Sequence, residues 1–186
     1  MEKRRLMTRE LILCGVFIPL IAIGAWLKIP IPVVPFTLQF LFTMLAGLLL
    51  GGRLGAVSVM GYLALGLLGL PIFAEGGGIW YLLKPSFGYL IGFAVAAYVS
   101  GRIANKVEAP SYGRILAGNL IGLLVVYLIG MVYFYGISNY VIETPIAFWP
   151  LFLYCFILAV PGDLVLCFLG AALAKRLIPV MHKIRA

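Results

Sequence analysis

The sequence predicts an all-α integral membrane protein, a bundle of six transmembrane helices, and three observations carry that expectation. Apolar residues make up 64% of the 186-residue chain and charged residues only 11%, at a mean hydropathy of +1.14. That is far more apolar surface than one soluble core of this size can hide. Apolar runs bounded by charge, proline or glycine recur six times, and at roughly 20 residues per span they leave room only for short connections. The 22 glycines and 11 prolines suit a membrane bundle, where glycine lets backbones approach and proline-broken helices line cavities.

The first expected helix covers about 10–27. It follows a basic start, Lys3-Arg4-Arg5, but has no small-residue cleavage site and leads straight into further spans, so it reads as retained. Pro30, Pro32 and Pro35 then stop any helix by removing donors and restricting their neighbours. The second run, 38–51, is short for a hydrocarbon core of roughly 30 Å and is expected to be completed at its outer end by the preceding loop. The remaining expected spans are 54–70, 85–104, 113–136 and 148–174. Glycine pairs at four-residue spacing (Gly47/Gly51, Gly51/Gly55, Gly88/Gly92, Gly118/Gly122) favour close packing inside the bundle over an external helix partner. No internal repeat supports the inverted-repeat architecture of secondary transporters.

Charge sets the expected orientation. Of the 14 basic residues, 12 fall on one side: Lys3, Arg4, Arg5, Arg9, Arg53, Arg102, Lys106, Arg114, Lys175, Arg176, Lys183 and Arg185. Only Lys28 and Lys84 fall on the other. The positive-inside rule then places both termini in the cytoplasm and loops 28–37, 71–84 and 137–147 outside, where a ligand would enter. The net charge of +8 points to this topology in a lipid bilayer rather than to nucleic acid.

No catalytic set is visible. His182 is the only histidine, which excludes histidine-based triads and multi-histidine metal sites by count. Cys14, Cys155 and Cys167 lie in apolar stretches without paired spacing and read as small packing residues. Gly76-Gly77-Gly78 is followed by no Gly-Lys-Ser/Thr, so a nucleotide site is not expected in this chain, and any ATP would be used by another subunit. No metal or other cofactor is expected.

Asp163 is the only acidic residue in the interior of an expected span, Glu10 standing at the very start of the first. An ionisable group at that depth is costly unless paired or facing a polar cavity, which makes it the first candidate for a ligand contact. The alternative is a cap on a helix restarting after Pro161-Gly162. Nearby outer ends offer Thr37, Gln39, Tyr81, Lys84, Ser86 and Tyr89, hydrogen-bonding groups amid aromatic surface, the make-up of a small-molecule pocket. Tyr133, Tyr135, Trp80 and Trp149 are expected in the interfacial aromatic belt.

Several strings together resemble the BioY family, the biotin-specific S components of energy-coupling-factor (ECF) transporters. They are Gly24-Ala25-Trp26-Leu27-Lys28-Ile29-Pro30, Val34-Pro35-Phe36-Thr37-Leu38-Gln39, Gly69-Leu70-Pro71-Ile72-Phe73-Ala74 with the glycines after it including Gly77, Pro85-Ser86-Phe87-Gly88-Tyr89-Leu90-Ile91-Gly92-Phe93, and Pro161-Gly162-Asp163-Leu164. Their order and spacing across nearly the whole chain make the combination specific. The resemblance implies a six-helix bundle in a bacterial or archaeal cell membrane that takes up biotin from outside. It implies a transmembrane coupling (T) subunit and ATPase subunits as partners, and no enzymatic activity of its own. It assigns Asp163 to the biotin ring system, and the groups already read as a pocket, Thr37, Gln39, Tyr81, Lys84, Ser86 and Tyr89, together with Gly77 of the glycine loop, are then expected around the ligand. Two departures stand out. Many members carry a lysine three residues after that aspartate, where this chain has Leu166, so that role is absent or passes to Lys84. The Ala-x-x-x-Ala docking surface of the first helix is matched by Gly15 and Pro19, with Ala22 beside them. An S component for another vitamin, and a small intramembrane enzyme, are the competing readings.

Overall fold

The computed structural model describes residues 8–29 and 36–185, and the side chains of residues 182, 184 and 185 lie outside that description. The basic start at 3–5 and most of the proline loop fall outside it as well. Helix α1 is Thr8–Trp26, α2 Gln39–Leu50, α3 Gly52–Leu67, α4 Phe87–Ala104 and α5 Tyr112–Tyr140. Between α1 and α2 a two-residue antiparallel ladder pairs β1, Lys28–Ile29, with β2, Phe36–Thr37, Lys28 opposite Thr37. A 3-10 turn, Ile79–Leu83, leads into α4.

The run 148–174 is not one helix. It begins as α6, Phe148–Phe152, passes through a π-helical segment at Leu153–Ile157, and restarts as α7, Val160–Arg185. Pro161 explains the break, because its ring has no N–H to give and collides with the carbonyl four residues back, that of Ile157. The π segment, a distortion common beside functional sites, lies immediately before this break.

Among the described residues, four stretches are long and apolar enough to cross a membrane: α1, α4, α5, and the Phe148–Met181 run taken together. Helices α2 and α3 are shorter, 12 and 16 residues, or about 18 and 24 Å at 1.5 Å per residue. Helix α2 tolerates its length because it is enclosed by α1, α3, α4 and α7, with every residue from Thr43 to Leu50 buried.

Glycine makes that enclosure possible. A Cβ on Gly47 would land on the Ala97 carbonyl of α4, one on Gly101 would strike the Gly47 carbonyl, and one on Gly55 the Gly47 backbone. Helices α2 and α3 are joined by Gly51 alone, at φ +86°, a conformation that glycine adopts at no steric cost. Asn105 at the end of α4 closes the same corner by donating from Nδ2 to the Leu48 carbonyl at 3.0 Å. Gly118 and Gly122 of α5 face Ser100 and Ala96 of α4 in the same manner.

Gly47→Ala is therefore expected to lower stability by about 1–3 kcal/mol through overpacking. Gly136→Ala, where the added carbon meets nothing within 4 Å, should leave stability unchanged or raise it slightly. Thermal unfolding of both variants in detergent checks the contrast.

Candidate functional site

At the end of the bundle that carries β1, β2 and the 68–86 connection, a cavity of about 80 Å³ opens among α2, α4, α5 and the broken last helix. Its walls are aromatic. Phe40 stacks on Phe93 with ring centroids 5.9 Å apart, Tyr89 meets Tyr127 edge-on at 6.0 Å, and Phe36 and Tyr81 close the outer side.

Glycine seats hold these walls. Gly24 of α1 lies under the backbone of Gln39, Gly130 of α5 under the Tyr89 ring, and Gly162 under the Phe36 ring, and a Cβ at any of the three would collide. The 68–86 connection is pinned by side chain to carbonyl bonds: Tyr62 to Ile72 at 2.9 Å, Lys28 to Ala74 at 2.9 Å and Tyr133 to Leu82 at 2.5 Å. Tyr133 thus anchors the 3-10 turn instead of joining an interfacial belt, whereas Trp80 and Trp149 are exposed. The Tyr81 phenol is pushed up to about 12, by burial first and the nearby Glu75 carboxylate second, and stays neutral at physiological pH.

The chemistry concentrates at Asp163. It sits in the first turn of α7, where the helix dipole favours a carboxylate. It is not the N-cap: its own backbone N–H bonds to the Ala159 carbonyl at 3.2 Å, and its Oδ2 accepts from the Tyr127 hydroxyl at 2.5 Å. Cys155, Ala159 and Asp163 follow one another along one side of the last helix into the cavity. Two further polar groups are buried in the wall with no hydrogen-bond partner among the described residues: Gln39 Nε2 and the Tyr89 hydroxyl.

Of the residues singled out from the sequence, the fold brings Thr37, Gln39, Tyr81, Ser86, Tyr89 and Asp163 into one cavity wall. Lys84 and Gly77 are not in it. Lys84 is held by Glu75, Nζ to Oε2 2.7 Å, and Gly77 packs its backbone on the Leu70 carbonyl, where a Cβ would collide. Leu166 is buried at 4% exposure and brings no charge to the site. Tyr127 and Glu75 join the wall without a strong mark in the sequence; a hydroxyl in the middle of the apolar α5 run is the signal for the first. On α1, Gly15 and Pro19 are exposed, but Ala22 is buried at 5% and packs into the bundle, off the surface those two share.

A larger groove at the opposite end is lined by Arg53, Arg102, Lys106, Glu10 and the Gly51-Gly52 corner. It has no aromatic wall. Among the described residues no cluster of three or more His, Cys, Asp or Glu could hold a metal ion.

Fold and cavity together define an apolar helical bundle, with helices long enough to cross a membrane, that encloses an aromatic-walled cavity near one end. The BioY family model matches residues 1–183, and the chain belongs to the BioY family. A protein of Lysinibacillus sphaericus described as a probable biotin transporter BioY is 44% identical over 179 residues, covering 96% of this chain and 91% of that protein. A biotin transporter BioY of Thermotoga maritima is 44% identical over 124 residues, 66% of this chain and 72% of that one. A solved crystal structure described as the S-component for biotin from an ECF-type ABC transporter superposes with a TM-score of 0.76 at 28% identity, covering 93% of this chain and 94% of that one.

Tyr127→Phe removes the donor to a carboxylate set among apolar side chains and is expected to cost about 1–3 kcal/mol. Unfolding measured without ligand reads it, and wild-type stability would show that the Asp163 carboxylate is solvated by other means.

Proposed function

We propose that this chain is a biotin-capturing S component, a binding and translocation module rather than an enzyme. It takes biotin from outside and delivers it inward with a T subunit and ATPase subunits. The observation that supports this most directly is the donor and acceptor pattern of the cavity: the Asp163 carboxylate, a second carboxylate at the half-exposed Glu75, two buried polar groups without partners among the described residues, and aromatic walls. Biotin's ureido ring carries two N–H donors and one carbonyl acceptor. Asp163 accepts an N–H in a charge-assisted bond, while Gln39 Nε2 and the Tyr89 hydroxyl can donate to the carbonyl. The ring sulfur and valeryl chain suit Phe36, Phe40 and Phe93. Thr37, Ser86 and Tyr81 complete the wall, Gly77 shapes the loop above it, and the tail carboxylate of the ligand points toward Lys84.

In this reading the six apolar runs span the membrane with both termini in the cytoplasm, from the distribution of basic residues. The cavity then opens outward and the Arg53–Arg102–Lys106 groove lies at the cytoplasmic end. Coupling to the T subunit uses Gly15 and Pro19. Pro19 leaves the Gly15 carbonyl without its usual donor four residues on, and the exposed glycine adds no side chain, so a partner helix can approach closely.

Asp163→Asn places an N–H₂ donor against a ligand donor and is expected to weaken biotin by about 2–5 kcal/mol, roughly 30-fold or more. Calorimetric titration measures it, with mass spectrometry of ligand released from the purified chain as the identity check. Unchanged affinity in a normally folded variant would return Asp163 to a structural role.

Gly15→Trp should abolish biotin uptake and co-purification with the T subunit while leaving biotin binding intact. Pull-down from a strain expressing the whole module is the measurement, and an undisturbed complex would move the interface to another helix.

A further inference from the structure

Among the described residues the cavity wall contains two carboxylates, Asp163 and Glu75, and no cation. That is an unexpected lining for a ligand that ends in a carboxylate. Glu75 is half-exposed at the loop, so an anionic tail leaving the cavity meets its charge there. Two cations approach this loop. Lys28 donates to the Ala74 carbonyl at 2.9 Å. The Lys84 Nζ lies 2.7 Å from Glu75 Oε2, 3.5 Å from the Glu75 carbonyl oxygen and 5.0 Å from the centroid of the Tyr81 ring, itself part of the wall. The lysine is thus one aromatic ring away from the cavity and committed to another carboxylate.

That commitment is weak. The two side chains are 40% and 44% exposed, and exposed pairs contribute little net stability because water and salt compete with them. A lysine ammonium is a point charge on a flexible stem and can change partner without a geometric fork to rebuild. Glu75 left alone remains hydrated.

We infer that Glu75 is a specificity-determining residue, a resident carboxylate that competes with the anionic tail of the ligand for Lys84. The inference rests on the reading that the ligand's tail carboxylate faces this loop. In the empty site Glu75 holds the lysine. A ligand carboxylate takes its place, one ion pair is exchanged for another, and the remaining cost is repulsion between Glu75 and the tail. A ligand with a neutral tail leaves the pair intact and meets no such cost. The Glu75–Lys84 pair therefore sets how strongly tail charge is preferred, while the ring-binding end of the cavity sets which ring is accepted.

The test compares biotin with biotin amide by calorimetry on the full chain in detergent, at low and high ionic strength. Glu75→Gln is expected to raise the ratio of acid to amide affinity about threefold to tenfold, with the gain shrinking as salt rises. Lys84→Gln should lower the same ratio by a similar factor, an opposite readout that stands if Glu75→Gln disturbs the loop. The Glu75→Gln gain should be smaller when Lys84→Gln is already present, because part of it passes through the lysine. Thermal unfolding controls for folding. A ratio unmoved by Glu75→Gln overturns the inference, as does an equal loss for both ligands, or a gain undiminished without the lysine. Wild-type chain that binds neither ligand sinks the biotin reading itself and the inference with it, whereas wild-type binding with an unmoved ratio leaves that reading standing.

Discussion

A carboxylate placed between helices in an apolar bundle is the constraint on which the functional end of this molecule is organised. Asp163 cannot be surrounded by aliphatic side chains alone, since an uncompensated charge in such surroundings costs far more than packing returns. Three features answer that cost. The residue lies in a helix first turn, at the end of the helix dipole that favours a negative charge. Tyr127 crosses from α5 to donate to it. The helix break forced by Pro161 puts the acid at the start of a new helix rather than in the middle of a continuous one.

The second requirement is room, and glycine supplies it at two levels. At the basic end, Gly47, Gly55 and Gly101 let α2, α3 and α4 touch backbone to backbone. At the cavity end, Gly24, Gly130 and Gly162 seat the residues that form the wall. Both sets act by absence of a side chain, so neither contributes an attractive interaction of its own. What they permit is dispersion contact and aromatic stacking among their neighbours, which accumulate only when backbones come close.

Much of this architecture is legible in the chain. Hydropathy locates the helices, because burial in lipid demands long apolar runs whatever the tertiary contacts. The lone acid at position 163 is conspicuous for the same reason. Other features depend on contacts far apart in sequence. Pro161 is plain to read, but its effect falls four residues upstream, where the carbonyl it leaves unbonded belongs to Ile157. Tyr133 looks like a belt residue until the fold brings the Leu82 carbonyl beneath its hydroxyl. Ala22 has the spacing of a surface stripe with Gly15, yet α2 and α3 cover that end of α1. Glu75 stands next to three glycines in a loop, where an acid ordinarily means no more than solvation.

Helix α2 carries Gln39 into the cavity and is wrapped by four other helices. Hydrophobic mismatch acts on surfaces that meet acyl chains, by tilting, thinning or thickening. A helix with almost no such surface escapes those forces. Changes in acyl-chain length or sterol content of the host membrane will therefore load α1, α5 and α7 first, and reach the wall that Gln39 builds only through rigid-body shifts of its neighbours. The short central helix works as a shock mount, isolating the recognition surface from the mechanical state of the bilayer around it.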